Sequence, residues 1–334
     1  MIAITGASGL VGANLARSLL AQGRRVRGLI HRDRRALEGL EIELVQADVR
    51  DPDGLCCALQ GADVVYHLAA NISLEMDDWD EVEAVNVGGT RNVVEACLRC
   101  GVRKLIHFSS IHAFQQEPLD TPLDESRPRV SSPKYPPYDR SKALGEQEVR
   151  LGIARGLQAV ILNPTAIVGP YDFYPSYFGR AILSLVKGHV PALVPGGFDW
   201  VDVRDVVGAA MQAERLAPSG ASYLLSGHWH SVVEVAALVA ALAGGRTPLL
   251  TVPVGLAYAA APLMRWFSHF NGTRPIYTRV TLAALRSNPH ISHARASRDL
   301  GYQPRPFRET LGDTLDWFAR HGYLGQISVR RGQP

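Results

Sequence analysis

Tyr138 and Lys142 stand four residues apart in Tyr138-Asp139-Arg140-Ser141-Lys142, and on a helix that spacing brings two side chains onto one face a single turn apart. A phenol titrates near 10 in water, too high for base work at neutral pH; an ammonium one turn away favours the phenolate and pulls that value down. The pair is suited to giving or taking a proton. With 11 Tyr and four Lys in 334 residues, chance placement expects about 0.1 such pairs, so the pair carries weight once the rest of the chain supplies a cofactor.

The elements that would position the pair are legible upstream. Apolar strand-like runs alternate with amphipathic ones: Ile2–Thr5, Leu10–Gln22, Arg25–His31, Ile42–Gln46, Leu55–Leu59, Val64–Leu68, Val82–Arg99 and Lys104–Ser109. Repeated β-α alternation with continuously apolar strands predicts α/β structure, a doubly wound parallel sheet of Rossmann type covered on both faces. The first turn reads Gly6-Ala7-Ser8-Gly9-Leu10-Val11-Gly12. Three spaced glycines can be a mere tight turn, but between the first strand and the first helix they let a pyrophosphate approach the backbone while the helix N-terminus faces the phosphates.

Other candidate contacts lie at the carboxyl ends of the strands, where ligands of open α/β sheets bind. The second strand ends Leu29-Ile30-His31-Arg32 with no carboxylate at His31; two basic side chains there suit a 2′-phosphate and favour NADP over NAD. Asp48 and Val49 are placed to meet the adenine edge, although Asp48 also opens a helix N-terminal region. Small residues in Leu68-Ala69-Ala70 leave room for a cofactor, and Asn71 and His112 are candidate substrate contacts. Asn86 heads Asn86-Val87-Gly88-Gly89-Thr90, whose glycines are costly in a helix unless something packs close. Ser109 and Ser110 end the fifth strand, and Ser110 could donate a hydrogen bond to a substrate carbonyl. The proline-rich stretch Gln115–Pro137 is expected to be a surface loop over the site.

Composition narrows the field of partners. A net charge of +3 with 46% apolar and 20% charged residues gives no block of one sign, so neither nucleic acid nor an anionic membrane is expected as the main partner. Met1 runs straight into the first strand, leaving no leader, and the expected location is cytoplasmic. Cys56, Cys57, Cys97 and Cys100 read as reduced structural thiols, and no metal is expected. The uncharged run Thr247–Met264 contains Pro248, Pro253 and Pro262 and is too short to span a bilayer; it reads as buried or pocket-lining, with weak peripheral membrane contact left open.

The motifs together resemble the extended short-chain dehydrogenases/reductases, of NAD-dependent epimerase/dehydratase type, over essentially the whole chain: Thr5–Gly12, His67–Ala70, Asn86–Thr90, Ser109-Ser110, Tyr138-x-x-x-Lys142, Asn163-Pro164-Thr165 with Val168-Gly169-Pro170, and Trp200–Val206. The resemblance implies a nicotinamide cofactor on the amino-terminal sheet. Tyr138 would be the acid/base and Lys142 the holder of the nicotinamide ribose, with Ser110 polarising the reacting oxygen. Pro164 would back the nicotinamide, flanked by Asn163, Thr165 and Val168. It also implies a homodimer formed through Val82–Arg99 and Ser141–Arg155.

Residues 1–165, with 201–226 returning to them, then form the dinucleotide-binding domain; 166–200 and 227–330 form a smaller α/β substrate cap. Phe173, Tyr174, Tyr177, Phe178 and Phe198 would make an apolar pocket wall in that cap. Leu300–Pro304 and Glu309–Phe318 would finish the fold. Galactose epimerases carry a pyrophosphate-binding Arg where this chain has Phe198, while Asn163 is shared with them. The expected substrate is therefore an apolar ketone, aldehyde or secondary alcohol, as in enzymes similar to dihydroflavonol 4-reductase and 3β-hydroxysteroid dehydrogenase; a sugar-nucleotide epimerase or dehydratase is the alternative. Arg180, Arg265 and Arg274 are the cations that would favour that alternative. A non-catalytic NADP-binding protein is disfavoured by the intact Ser110, Tyr138 and Lys142.

Overall fold

The computed structural model describes residues 1–73, 76, 78–244, 248, 250–260 and 277–325. Arg265, Arg274 and part of the Thr247–Met264 run lie outside these residues. Seven short strands, β1 (Ile2–Thr5), β2 (Val26–Ile30), β3 (Glu43–Gln46), β4 (Val64–His67), β5 (Lys104–Phe108), β6 (Ala159–Pro164) and, far along the chain, Ser222–Leu225, form one sheet. Its order is β3-β2-β1-β4-β5-β6 with Ser222–Leu225 at the edge, and every neighbouring pair is parallel. The doubly wound parallel sheet expected from the β-α alternation is thus present.

Central strands such as β4 and β5 are buried along their whole length because helices cover both faces. On one face Leu15 and Leu19 of α1 (Leu10–Ala21) meet Val206, Val207 and Ala210 of a later helix, Val203–Leu216. Lys104 of β5 fixes that later helix: its buried ammonium donates to the carbonyls of Ala213, Glu214 and Ala217, the last acceptors of the helix. On the other face lie α2 (Pro52–Leu59), α4 (Gly89–Arg99) and α5 (Pro137–Ala154), contributing Leu55, Val93, Cys97 and Val149 to a second core.

The run expected as one helix over Val82–Arg99 is broken into α3 (Trp79–Glu83), one π-helical turn Ala84–Gly88, and α4. Of the two glycines in it, Gly89 has the close neighbour: a Cβ there would lie 2.6 Å from Val49 Cγ2, whereas Gly88 has nothing nearer than 3.9 Å. The helix carrying the Tyr-Lys pair begins earlier than its apolar pattern suggested, with Pro137 in its first position, where the missing N–H costs nothing.

After β6 the chain leaves the large sheet. Strands β7 (Ala166–Val168), β8 (Gly197–Asp202) and β10 (His228–Ser231) make a small mixed sheet in the order β10-β8-β7, and Ser222–Leu225 is β9. Helices α6 (Tyr177–Val186) and α8 (Val232–Ala243), together with Phe307–Arg320, pack on it through Ile182, Val186, Val235, Leu311 and Phe318. Val203–Leu216 (α7) and β9 interrupt this lobe to rejoin the large sheet.

The first turn is packed backbone against backbone. A Cβ at Gly12 would overlap the Gly6 carbonyl oxygen and sit 2.7 Å from Ala7 Cα. Gly12→Ala is expected to destabilise the protein by about 1–3 kcal/mol, read as a lowered urea midpoint at unchanged slope.

Candidate active site

A cleft of about 790 Å³ runs along the carboxyl edge of the large sheet and under the cap. At its floor Gly6 adopts φ +68°, and a Cβ there would lie 2.7 Å from the Ala69 nitrogen. The turn is a cradle that only a bare backbone fits. Gly9 caps α1 without offering any side-chain acceptor, so the first N–H groups of that 12-residue helix remain available to a phosphate. The Ser109 hydroxyl, on the cleft wall, is buried without a hydrogen-bond partner among the described residues. Cradle, helix end and orphaned hydroxyl together fit a dinucleotide.

Of the candidate residues named from sequence, all line this cleft except Arg32, Asn86, Asn163, Val168 and Phe173. Arg32 is exposed. Asn86 is buried and bonds both the N–H and the carbonyl of Asn71, at 2.7 and 2.9 Å, and the Ser141 hydroxyl at 2.9 Å. It thereby holds the wall residue Asn71 against α5. Asn163 is fully buried beneath the site: its amide donates to the Ser110 carbonyl (3.1 Å) and Glu146 Oε1 (2.6 Å) and accepts from Ser222 (2.9 Å). Val168 packs in the cap core, and Phe173 packs against Trp317, ring centroids 5.0 Å apart.

At the end of the cleft beside β2 and β3, His31 Nε2 stands 3.5 Å from Asp48 Oδ2, and Arg50 bonds the same carboxylate. Hydrogen bonding by Arg50 holds the Asp48 carboxyl down at about 2. Sequence showed no carboxylate beside His31 because Asp48 reaches it from the neighbouring strand end.

The reacting end is built by β5 and α5. Ser110 closes a short turn, accepting from the His112 N–H at 3.2 Å. Lys142, buried, donates to the Phe108 carbonyl at 2.9 Å and lies 5.8 Å from the Tyr138 ring centre. Burial lowers its pKa to about 8, against the pull of Glu146, so it is still mostly cationic at neutral pH. Burial also pushes the Tyr138 phenol up to about 12, with Ser110 hydrogen bonding opposing and Asp139 adding to the rise. The depression expected from Lys142 is not found: desolvation outweighs the Ser110 hydrogen bond, and the phenol is in its protonated form. Beside it, burial disfavours a charged His112, but Asp139 at 3.4 Å overcomes this and raises its pKa.

Two wall residues were not anticipated: Asp172 and Asp199 on the cap side. Burial raises each to about 6. Their neighbours in sequence are aromatic, and nothing in residue type alone marks an acid as buried. Arg50 is the only arginine on the described cleft wall; Arg180 turns to the Pro175 carbonyl.

A doubly wound sheet with a glycine cradle at its first turn and a Tyr-Lys pair over the carboxyl edge defines a nicotinamide-dependent enzyme of the extended short-chain dehydrogenase/reductase type. Residues 2–224 match the NAD dependent epimerase/dehydratase family, and the chain belongs to it. It is 37% identical over 329 residues to sterol demethylase protein B of Methylococcus capsulatus, spanning 96% of this chain and 99% of that protein. To a putative dihydroflavonol 4-reductase of Synechocystis it is 30% identical, spanning 96% and 95%. Among solved structures, gox2253 superposes with a TM-score of 0.84 at 35% identity, covering 97% and 99%. A nucleoside-diphosphate-sugar epimerase from Pseudomonas aeruginosa reaches 0.80 at 24%, covering 97% and 99%, a likeness of fold.

Beneath Lys142 lie two buried histidines, His67 and His107, with ring centroids 5.3 Å apart. Burial holds His67 down to about 3 and His107 well below its usual value, with Lys142 adding to both. An unfolded chain binds protons near pH 6.5 that these rings refuse, so stability falls as pH drops from about 6.5 toward 3, each ring contributing up to about 1.4 kcal/mol per pH unit. Urea unfolding between pH 6 and 4.5 should show this fall, and His107→Phe should make it shallower by one proton.

Proposed function

We propose that this enzyme transfers a hydride between a nicotinamide cofactor and an apolar ketone, aldehyde or secondary alcohol, with Tyr138 as the acid/base. The observation that carries the reading is the charge of the cap wall. Tyr177, Phe178 and Phe198 face the cleft together with Asp172 and Asp199, and no arginine joins them among the described residues. A diphosphate placed there would lose its hydration and meet two acids in place of a fixed cation. An apolar ligand would instead gain roughly 25 cal/mol for each Å² removed from water. The names carried by the sterol demethylase protein and the putative dihydroflavonol 4-reductase also fit apolar ring systems better than nucleotide sugars.

The bound dinucleotide supplies the hydride donor or acceptor. The chain supplies the rest. Ser110 and Tyr138 donate hydrogen bonds to the substrate oxygen, and the protonated phenol passes its proton to that oxygen as negative charge develops. In the oxidative direction the same atom takes the proton back. Lys142, held by the Phe108 carbonyl, places a cation beside the cofactor ribose and the phenol.

We further propose that NADP is held more tightly than NAD. His31 and Arg50 line the end of the cleft beside β2 and β3 and offer donors to a 2′-phosphate, and Arg50 offsets the charge of Asp48. Arg32 lies off the cleft, so His31→Ala should narrow the preference more than Arg32→Ala does in fluorescence titrations. A homodimer through α4 and α5 is also proposed: Leu144 and Leu151, seven residues apart on one stripe of α5, are exposed.

The test is a turnover screen with NADP(H) and NAD(H), setting steroid, flavonoid and aryl ketones or alcohols against UDP- and GDP-sugars. Conversion of the apolar set is expected; conversion confined to nucleotide sugars would overturn the reading. Tyr138→Phe should lower kcat by about 10²–10⁴ while leaving the dinucleotide affinity within a few-fold, since only the transferable proton is removed.

A further inference from the structure

Buried carboxylates must be satisfied, and this protein satisfies nearly all of its own. Among the described residues, Glu146, Asp172, Asp202 and Glu214 are buried acids, and each has both oxygens bonded. Glu146 takes Asn163 and Arg129. Asp172 takes the Ser176 N–H and hydroxyl, Asp202 takes Arg204 on both oxygens, and Glu214 takes Arg24 and Tyr66. Asp199 is the exception. It is 7% exposed, and its Oδ1 accepts both the Thr165 hydroxyl and the Gly227 N–H, each at 2.7 Å. Oδ2 has no hydrogen-bond or ion-pair partner among the described residues, and Asp199 lines the cleft between Phe198 and the aromatic Trp229.

Oδ2 is not sealed off like the Ser109 hydroxyl: it opens to the cleft, where a carboxylate oxygen with no partner in the chain is free to accept from a donor that arrives from outside. No lysine or arginine forms an ion pair with Asp199 among the described residues, and His228, which acts on it only through space, is exposed. The residue stands on β8, in the small sheet of the cap and away from the glycine cradle.

We propose that Asp199 recognises a second hydroxyl on the substrate, so that the enzyme takes an otherwise apolar molecule bearing a hydrogen-bond donor apart from its reacting oxygen. This rests on the reading that the cleft turns over apolar alcohols and ketones. Because burial raises Asp199 only to about 6, the carboxyl is ionised at neutral pH and acts purely as an acceptor. An amide at this position would keep an acceptor for Thr165 and Gly227 while presenting an NH₂ to the cleft.

The experiment compares matched alcohols at neutral pH with saturating NADP: cyclohexanol against the cyclohexanediols, and androstanol against the androstanediols. In the native enzyme at least one diol should exceed its parent alcohol by about tenfold or more in kcat/KM, the worth of a hydrogen bond to a charged acceptor. In Asp199→Asn that ratio should fall below about threefold. A native enzyme that prefers no diol overturns the proposal without any variant. An Asp199→Asn variant that loses activity on both members in equal proportion also overturns it, since that marks a purely structural role. So does a weakened dinucleotide Kd in Asp199→Asn with the ratio intact, which would assign the oxygen to the cofactor. Turnover of neither alcohol set with either dinucleotide would remove the dehydrogenase reading and this inference with it.

Discussion

The amide of Asn163 holds the reacting end of this enzyme together. It reaches the Ser110 carbonyl at the end of β5, Glu146 on α5 and Ser222 on β9, and Glu146 is secured in turn by Arg129 from the loop over the site. Five segments of the chain meet in one hydrogen-bonded cluster. Such a cluster is costly when any member is left unpaired, so it acts as a register pin: Ser110, Tyr138 and Lys142 keep their spacing because the groups behind them have only one arrangement that satisfies every donor.

Desolvation then sets the chemistry. The same burial that protects the cluster depresses Lys142, raises Tyr138 and keeps His67 and His107 neutral. The phenol is thus protonated at neutral pH, and the ammonium beside it is still mostly charged. On the opposite wall, burial works on Asp172 and Asp199 in the same sense. The cap side of the cleft thus sets two acids among aromatic rings.

Most of the fold was legible because its signals are local. Strand runs, the glycine turn and the Tyr-Lys spacing each follow from a few adjacent residues, and the seven-stranded sheet follows from their alternation. What escaped lies in long-range contacts. Asn163 looked like a cofactor ligand because it neighbours Pro164, yet its side chain faces inward to the partners that fix Ser110. Asn86 was similarly assigned, and the π turn that aims it at Asn71 and Ser141 leaves no mark in a helical pattern. Phe173 belongs to an aromatic run, but it sits in the loop before α6, and its ring packs on Trp317 instead of the cleft. Asp48 beside His31, and the two buried cap acids, depend on chain crossings that residue type does not encode.

The path of the chain has a consequence for how the molecule is assembled. β9, the seventh strand, is made only after β7, α6 and β8 have been laid into the cap, and Tyr302, later still, packs in the core beneath the large sheet. Neither lobe is a continuous length of polypeptide. A nascent chain that has emerged as far as Thr165 holds the glycine turn, Ser110, Tyr138 and Lys142 but lacks the edge strand, the α7 cover and the Ser222 hydroxyl that completes the Asn163 cluster. The dinucleotide lobe therefore has no complete core until the cap has been synthesised, and the two lobes acquire their stability as one cooperative unit.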